Sequence, residues 1–200
     1  MYYGDIMDTK EKPKYAVFSV MGPHAGEDSD SIFTRKAEDI NKVGKTFWLV
    51  RSYLAKPNMV QKLCAEAIKQ TCNPFCLFLA PSSPSGATPT KSNCAASEYS
   101  SDSSTWHPLP PGLGPVTGQI ARSTCALIFD ELIVRESGII DLWDYADYFD
   151  SKQPIKTKQG ASTVCGILKE TRTHPDRMKS HKRSVIAIGR LAAPYAVWLR

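Results

Sequence analysis

The chain has 200 residues, of which 42% are apolar and 22% charged, and its formal net charge is +5. A globular chain of this size buries roughly 70% of its unfolded surface and needs neither a disulfide framework nor a metal to fold. No run of about 18 apolar residues exists and the leading MYYGDIMDTKEKPK is polar and mixed in charge, so neither a transmembrane helix nor a signal peptide is predicted; the expectation is a cytoplasmic, intracellular protein with no membrane partner.

KYAVFSVM (14–21) is short, aromatic and β-branched, and it is closed by Gly22-Pro23, so it predicts a buried strand. Asp30 is placed to cap the next segment, where Ile32, Phe33, Ala37, Ile40 and Val43 keep a helical apolar face up to Gly44. KTFWLV (45–50) predicts a second strand. Asn58 opens a second helix carrying Val60, Leu63, Cys64, Ala67 and Ile68, which Asn73-Pro74 breaks, and FCLFLA (75–80) predicts a third strand.

Strand, helix, strand, helix, strand with short connections predicts a parallel βαβαβ half with helices covering the sheet, Rossmann-like but without dinucleotide binding. The first strand is expected between the second and the third. Residues 81–118 change character, with nine Ser, seven Pro and four Gly. The expectation is one long loop, disordered to about Ser104, whose later part carries Trp106, Leu109 and Leu113 back onto the body.

Beyond it, TCALIFDELIV (124–134) and IIDLW (139–143) predict a hairpin around Glu136-Ser137-Gly138, followed by a short helix or wide turn. STVCGILKE (162–170) and RSVIAIGRL (183–191) predict two more strands, and a turn at Ala193-Pro194 leads YAVWLR back as a last one. The fold class is therefore α/β: a mixed sheet in a single domain over 1–200, parallel strands first and antiparallel strands added in the carboxyl-terminal half. Two domains divided near residue 115 are the alternative.

Of six cysteines, four lie in apolar runs and behave as small hydrophobes; Cys72 and Cys76 lack a second pair or a nearby His, so no metal site is predicted.

In open α/β sheets a ligand binds outside the carboxyl ends of the strands where strand order reverses. That places the turn 21–30 on one wall of a crevice and Pro81–Gly86, with Ser82 and Ser83, on the other, with Trp106 and His107 in a segment able to close over both. Gly22 and Gly26 allow close backbone approach, but the turn lacks the third glycine of a dinucleotide fingerprint and the Lys-Ser/Thr of a P-loop, which argues against a dehydrogenase and an NTPase. Glu27, Asp28 and Asp30 oppose a bare phosphate. They suit ribose or sugar hydroxyls, Mg2+ bridging to a phosphate, or simply the dipole of the helix they precede. His24, oriented by Glu27 or Asp28, is the candidate acid-base group.

Almost all the basic excess lies in LKETRTHPDRMKSHKR (168–183), where Lys169, Arg172, Arg177, Lys179, Lys182 and Arg183 form a patch able to meet phosphates of nucleic acid or another polyanion. Aromatics are absent from this stretch, so backbone contact rather than base stacking is expected. Asp130, Glu131, Asp141, Asp144 and Asp147 read as solvent-face and turn acids. Strand alternation sets Asp130 opposite Glu131.

Three functions follow. The first is a recognition or regulatory domain holding a nucleotide-like or hydroxyl-rich ligand in the crevice, with the basic segment for polyanion or partner contact. The second is a hydrolase or transferase acting on a nucleotide or glycosyl substrate through His24 and Glu27. The third is a protein-interaction domain without a small ligand.

Overall fold

A computed structural model describes residues 12–21, 27–50, 55–81, 96–113, 124–150, 155, 163–169 and 181–200, without the side chains of 135–137. Its elements are β1 (Tyr15–Val20), α1 (Ser29–Val43), β2 (Thr46–Val50), α2 (Pro57–Lys69), β3 (Phe75–Leu79), β4 (Glu98–Ser100), β5 (His107–Pro108), β6 (Cys125–Asp141), a 3-10 turn (Leu142–Asp144), β7 (Tyr145–Asp147), β8 (Thr163–Leu168) and β9 (Lys182–Leu199). The protein is α/β with a mixed sheet.

All five elements expected before residue 80 exist, with shifted starts. The cap of α1 is Asp28, whose carboxylate accepts from the Ser31 N–H at 2.7 Å, rather than Asp30. Gly44 ends the helix in the left-handed conformation, φ 76°, which only glycine adopts without strain. In α2 Pro57 takes the first helical position behind Lys56, so Asn58 is inside the helix and not its cap.

The strand order is β2-β6-β9-β3-β1-β8-β7, with β4 on the end of β9 and β5 on β4. Strands from both sides of residue 115 thus alternate within one sheet. β1 and β3 are parallel neighbours, in register from Ala16 opposite Phe75 to Val20 opposite Leu79. The expected Rossmann-like βαβαβ half is not confirmed beyond that pair. β2 lies at the edge and pairs antiparallel with β6; β6 with β9 and β9 with β3 are antiparallel too, so β2 runs opposite to β1 and β3.

Nor is there a hairpin at 136–138: β6 runs through to Asp141 along β9, with a register shift between Val134 and Gly138. β9 likewise continues past Ala193-Pro194 instead of turning back. The four residues 192–195 are absorbed where the register jumps from Leu127 opposite Ala196 to Phe129 opposite Leu191, a bulge that lets two long strands stay paired while bending.

The sheet is rolled. Asp141 on β6 and Tyr145 on β7 are joined by only the three residues of the 3-10 turn, a reach of at most about 14 Å. Laid flat, the five interstrand gaps from β6 to β7 would measure about 24 Å. The concave interior is filled by Phe18, Leu77, Leu79, Leu142, Tyr145, Ile155, Val164 and Ile188. Phe18 meets Tyr145 edge-on at 4.8 Å. Gly166 is required there, because a Cβ would stand 2.4 Å from Ile155 Cδ1 and 2.7 Å from the Phe18 ring.

Both helices cover the other face, where Ile32 and Phe33 of α1 and Val60, Leu63, Cys64 and Ala67 of α2 join Val17, Trp48, Phe78 and Phe129. Trp48 and Phe78 reach 4.4 Å although two strands separate β2 from β3, a measure of how strongly the bulges bend the sheet. The third cluster, Phe47, Ala126, Ile128, Val197 and Leu199, is closed by Tyr99, Leu109 and Leu113. Leu109 and Leu113 pack back as expected. Residues 96–104, however, are ordered rather than disordered: Ser100 is buried, and Asp102 accepts from the Ser104 and Thr105 N–H groups.

Candidate functional site

The ends of β1 and β3 lie side by side. The Met21 N–H donates to Leu79 O at 2.9 Å, and the Ala80 N–H donates to Ser184 O of β9 at 2.9 Å. The turn after β1 and the bend after β3 therefore start from adjacent points on one end of the sheet. Gly22, His24 and Gly26 on the first, and Ser82 and Ser83 on the second, lie outside the described residues.

Glu27 and Asp28, where the turn meets α1, have structural partners. Arg35 grips Glu27 with both ends of its fork, Nε to Oε1 at 3.1 Å and Nη2 to Oε2 at 2.7 Å, and this pairing holds the Glu27 carboxyl below its ordinary range. The cap bonds from Ser31 lower Asp28 in the same direction. Both acids serve the start of α1, Asp28 as its cap and Glu27 as the partner of Arg35. An open hollow of about 470 Å³ borders them, lined by Asp28, Asp30, Ser31, Thr34, Arg35 and Glu38.

Trp106 and His107 do not cover this end. β5 pairs with β4, Tyr99 pairs with Leu199 at the last residues of β9, and the Trp106 ring lies 4.2 Å from the Arg200 guanidinium. Tyr99 and His107 stack loosely at 5.7 Å. Ser184, beside Ala80, is at the opposite end of the same strand.

The basic segment is framed by the 3-10 turn. The Lys169 N–H donates to Asp144 O and the Leu142 N–H to His181 O, so both ends of the segment are tied to residues two apart. Asp141 is no solvent-face acid: it is buried and accepts from the N–H groups of Trp143 and His181. Asp144 is buried as well and pairs with Lys12. Asp147 is a turn acid, accepting from Phe149 and Asp150 N–H. Arg172, Arg177 and Lys179 fall outside the described residues.

Lys182 and Arg183 follow directly at the start of β9. Arg183 Nη2 donates to the Ala80 carbonyl at 2.5 Å, which lays its guanidinium across the end of β3. The other arginines whose side chains are described are paired with acids: Arg35 with Glu27, Arg190 with Asp130 and Glu131, Arg200 with Glu98. Among the described residues no carboxylate pairs with Arg183, and partial burial lowers its pKa. The Arg190 fork also corrects the alternation argument, since a register shift between Phe129 and Glu131 lets Asp130 and Glu131 meet one cation.

The sequence reading missed one polar set. Lys36 and Asp39 occupy the same stripe of α1 as Ile32 and Val43 and are both buried, 3.5 Å apart, with Thr46 donating to Asp39 at 2.9 Å. Burial pulls the Lys36 ammonium down to about 8 against the attraction of Asp39. Their spacing from Ile32 was the available signal.

Cys64, Cys76, Cys125 and Cys165 are buried free thiols. Cys76 and Cys165 flank Val17 on opposite sides, about two strand spacings or 9.6 Å apart, too far for a disulfide. Among the described residues no three His, Cys, Asp or Glu side chains group as a metal site, and no helix is long and apolar enough to cross a membrane. No protein-family model, curated protein or solved structure matches this chain.

Proposed function

We propose that this protein is a recognition or regulatory domain that takes a nucleotide-like ligand at the carboxyl ends of β1 and β3, with its basic segment available to a polyanion or partner. The observation that carries the reading is the parallel pairing of β1 with β3, which starts both candidate walls from one end of the sheet. Of the three acids expected to repel a phosphate, Glu27 is engaged by Arg35 and Asp28 by the helix cap, and Arg183 brings a cation to the same end. The hydrolase or transferase reading rests on His24, which lies outside the described residues; of its two candidate orienting acids, Glu27 is held by Arg35 and Asp28 caps α1.

Thermal unfolding with millimolar nucleotides, with and without Mg2+, tests this directly. Binding raises stability by RT ln(1 + [L]/Kd), and the melting temperature should rise with ligand concentration. No shift with any nucleotide overturns the reading. The interaction-domain reading has one observation of its own: Val134 and Ile139 on β6 are 53% and 72% exposed, large apolar side chains left in solvent.

A further inference from the structure

We infer that Arg183 anchors the phosphate group of a ligand bound at the carboxyl ends of β1 and β3; this rests on the functional reading above and specifies its chemistry. A partly buried guanidinium loses hydration, and a protein ordinarily offsets that loss with a carboxylate. Arg35, Arg190 and Arg200 each have one. Arg183 has a carbonyl instead, Ala80 O, which fixes the orientation of the planar fork without neutralising it.

One donor is spent in that bond. Among the described residues nothing else takes the remaining N–H groups of the fork, whose geometry suits two oxygens of one phosphate. The position fits the role. Ala80 is the first residue past β3, its own N–H is held by Ser184 of β9, and Met21, the first residue past β1, is bonded to Leu79. Arg183 is thus carried on a central strand, and its head is pinned over the neighbouring strand's end. Lys182, next along the strand, is turned to the opposite face by strand alternation, so the anchor is Arg183 alone. A single arginine with one spent donor supports a small phosphate monoester; reading a nucleic-acid sequence would need base-directed groups as well.

Calorimetric titration of the full chain with a nucleoside monophosphate, its parent nucleoside and inorganic phosphate tests the assignment. The monophosphate should bind the unaltered protein more tightly than the nucleoside, and Arg183→Gln should weaken the monophosphate about ten- to a hundred-fold while leaving the nucleoside unchanged. Arg183→Lys, which keeps charge and loses the fork, should fall between. Equal monophosphate affinity in the unaltered protein and Arg183→Gln removes the anchor but leaves the crevice. Failure of both monophosphate and nucleoside to bind the unaltered protein removes both. Should Arg183→Gln not fold, the Nε–H resonance of Arg183 in the unaltered protein decides: it should shift on phosphate addition, and an unmoved signal overturns the inference.

Discussion

An arginine stands near each end of β9, Arg183 as its second residue and Arg200 just past its last, and they are treated in opposite ways. At the far end, Arg200 is closed in, with Glu98 at 2.7 Å and the Trp106 ring at 4.2 Å, and its backbone is bonded to Glu98 as well. At the near end, Arg183 rests on a carbonyl, with no acid beside it among the described residues. The first is a clasp that holds the β4–β5 segment on the sheet. The second is a cation positioned by the fold and left uncompensated, and that difference separates a structural arginine from one placed for a solute.

Core deletions beneath each end should break the comparison most strongly. Phe18, under the β1–β3 end, and Phe47, under β4, are both fully buried, and Phe18→Ala or Phe47→Ala should each cost about 3–5 kcal/mol in urea unfolding. Only Phe18→Ala should also weaken phosphate binding; equal loss in Phe47→Ala would show that the ends are not independent. Gly166→Ala forces a methyl into Ile155 and Phe18 and should cost about 1–3 kcal/mol by the same assay.

Cys125 anchors the strand beneath the far end, and burial pushes its thiol up to about 11 from an ordinary 9. Its folded form holds the proton after the unfolded chain has lost it. The stability it contributes is therefore whole below pH 9 and falls as pH rises through 9 to 11, by about 1 kcal/mol at pH 10. Cys125→Ala should flatten that part of the alkaline decline in urea midpoint, and an unchanged slope would contradict the assignment. Lys36, drawn down to about 8, works with the opposite sign between pH 8 and its ordinary 10.5, so the paired comparison is needed.

The smallest effect is expected at the clasp. Arg200→Ala removes an exposed ion pair and a cation–π contact and should cost about 1 kcal/mol or less, with phosphate affinity unchanged. A loss of phosphate affinity in that variant would reverse the roles given to the two arginines.

Much of the candidate site was legible before its geometry. The first strand was expected between the second and the third; it does neighbour the third, so the turn and the bend that follow them start from one end of the sheet, but the second strand lies at the far edge beyond β6 and β9. Arg183 was legible only as one cation among six, since nothing local reveals that Arg35, Arg190 and Arg200 find carboxylates while, among the described residues, Arg183 meets a carbonyl. Trp106 and His107 were assigned to the wrong end because a loop's composition says that it packs, not where.

What the sequence determined by itself is element type: YAVFSV and FCLFL as strands, and helices over 29–43 and 57–69, each written in a period that the backbone reads within a few residues. Only the tertiary structure decided partners and direction. β2 went to β6 rather than to β1, and two expected turns became bulges in strands of 17 and 18 residues. The reason is physical: a strand's alternation fixes which face is buried, whereas its neighbour is chosen by the burial that the whole rolled sheet achieves, a sum over residues far apart in the chain.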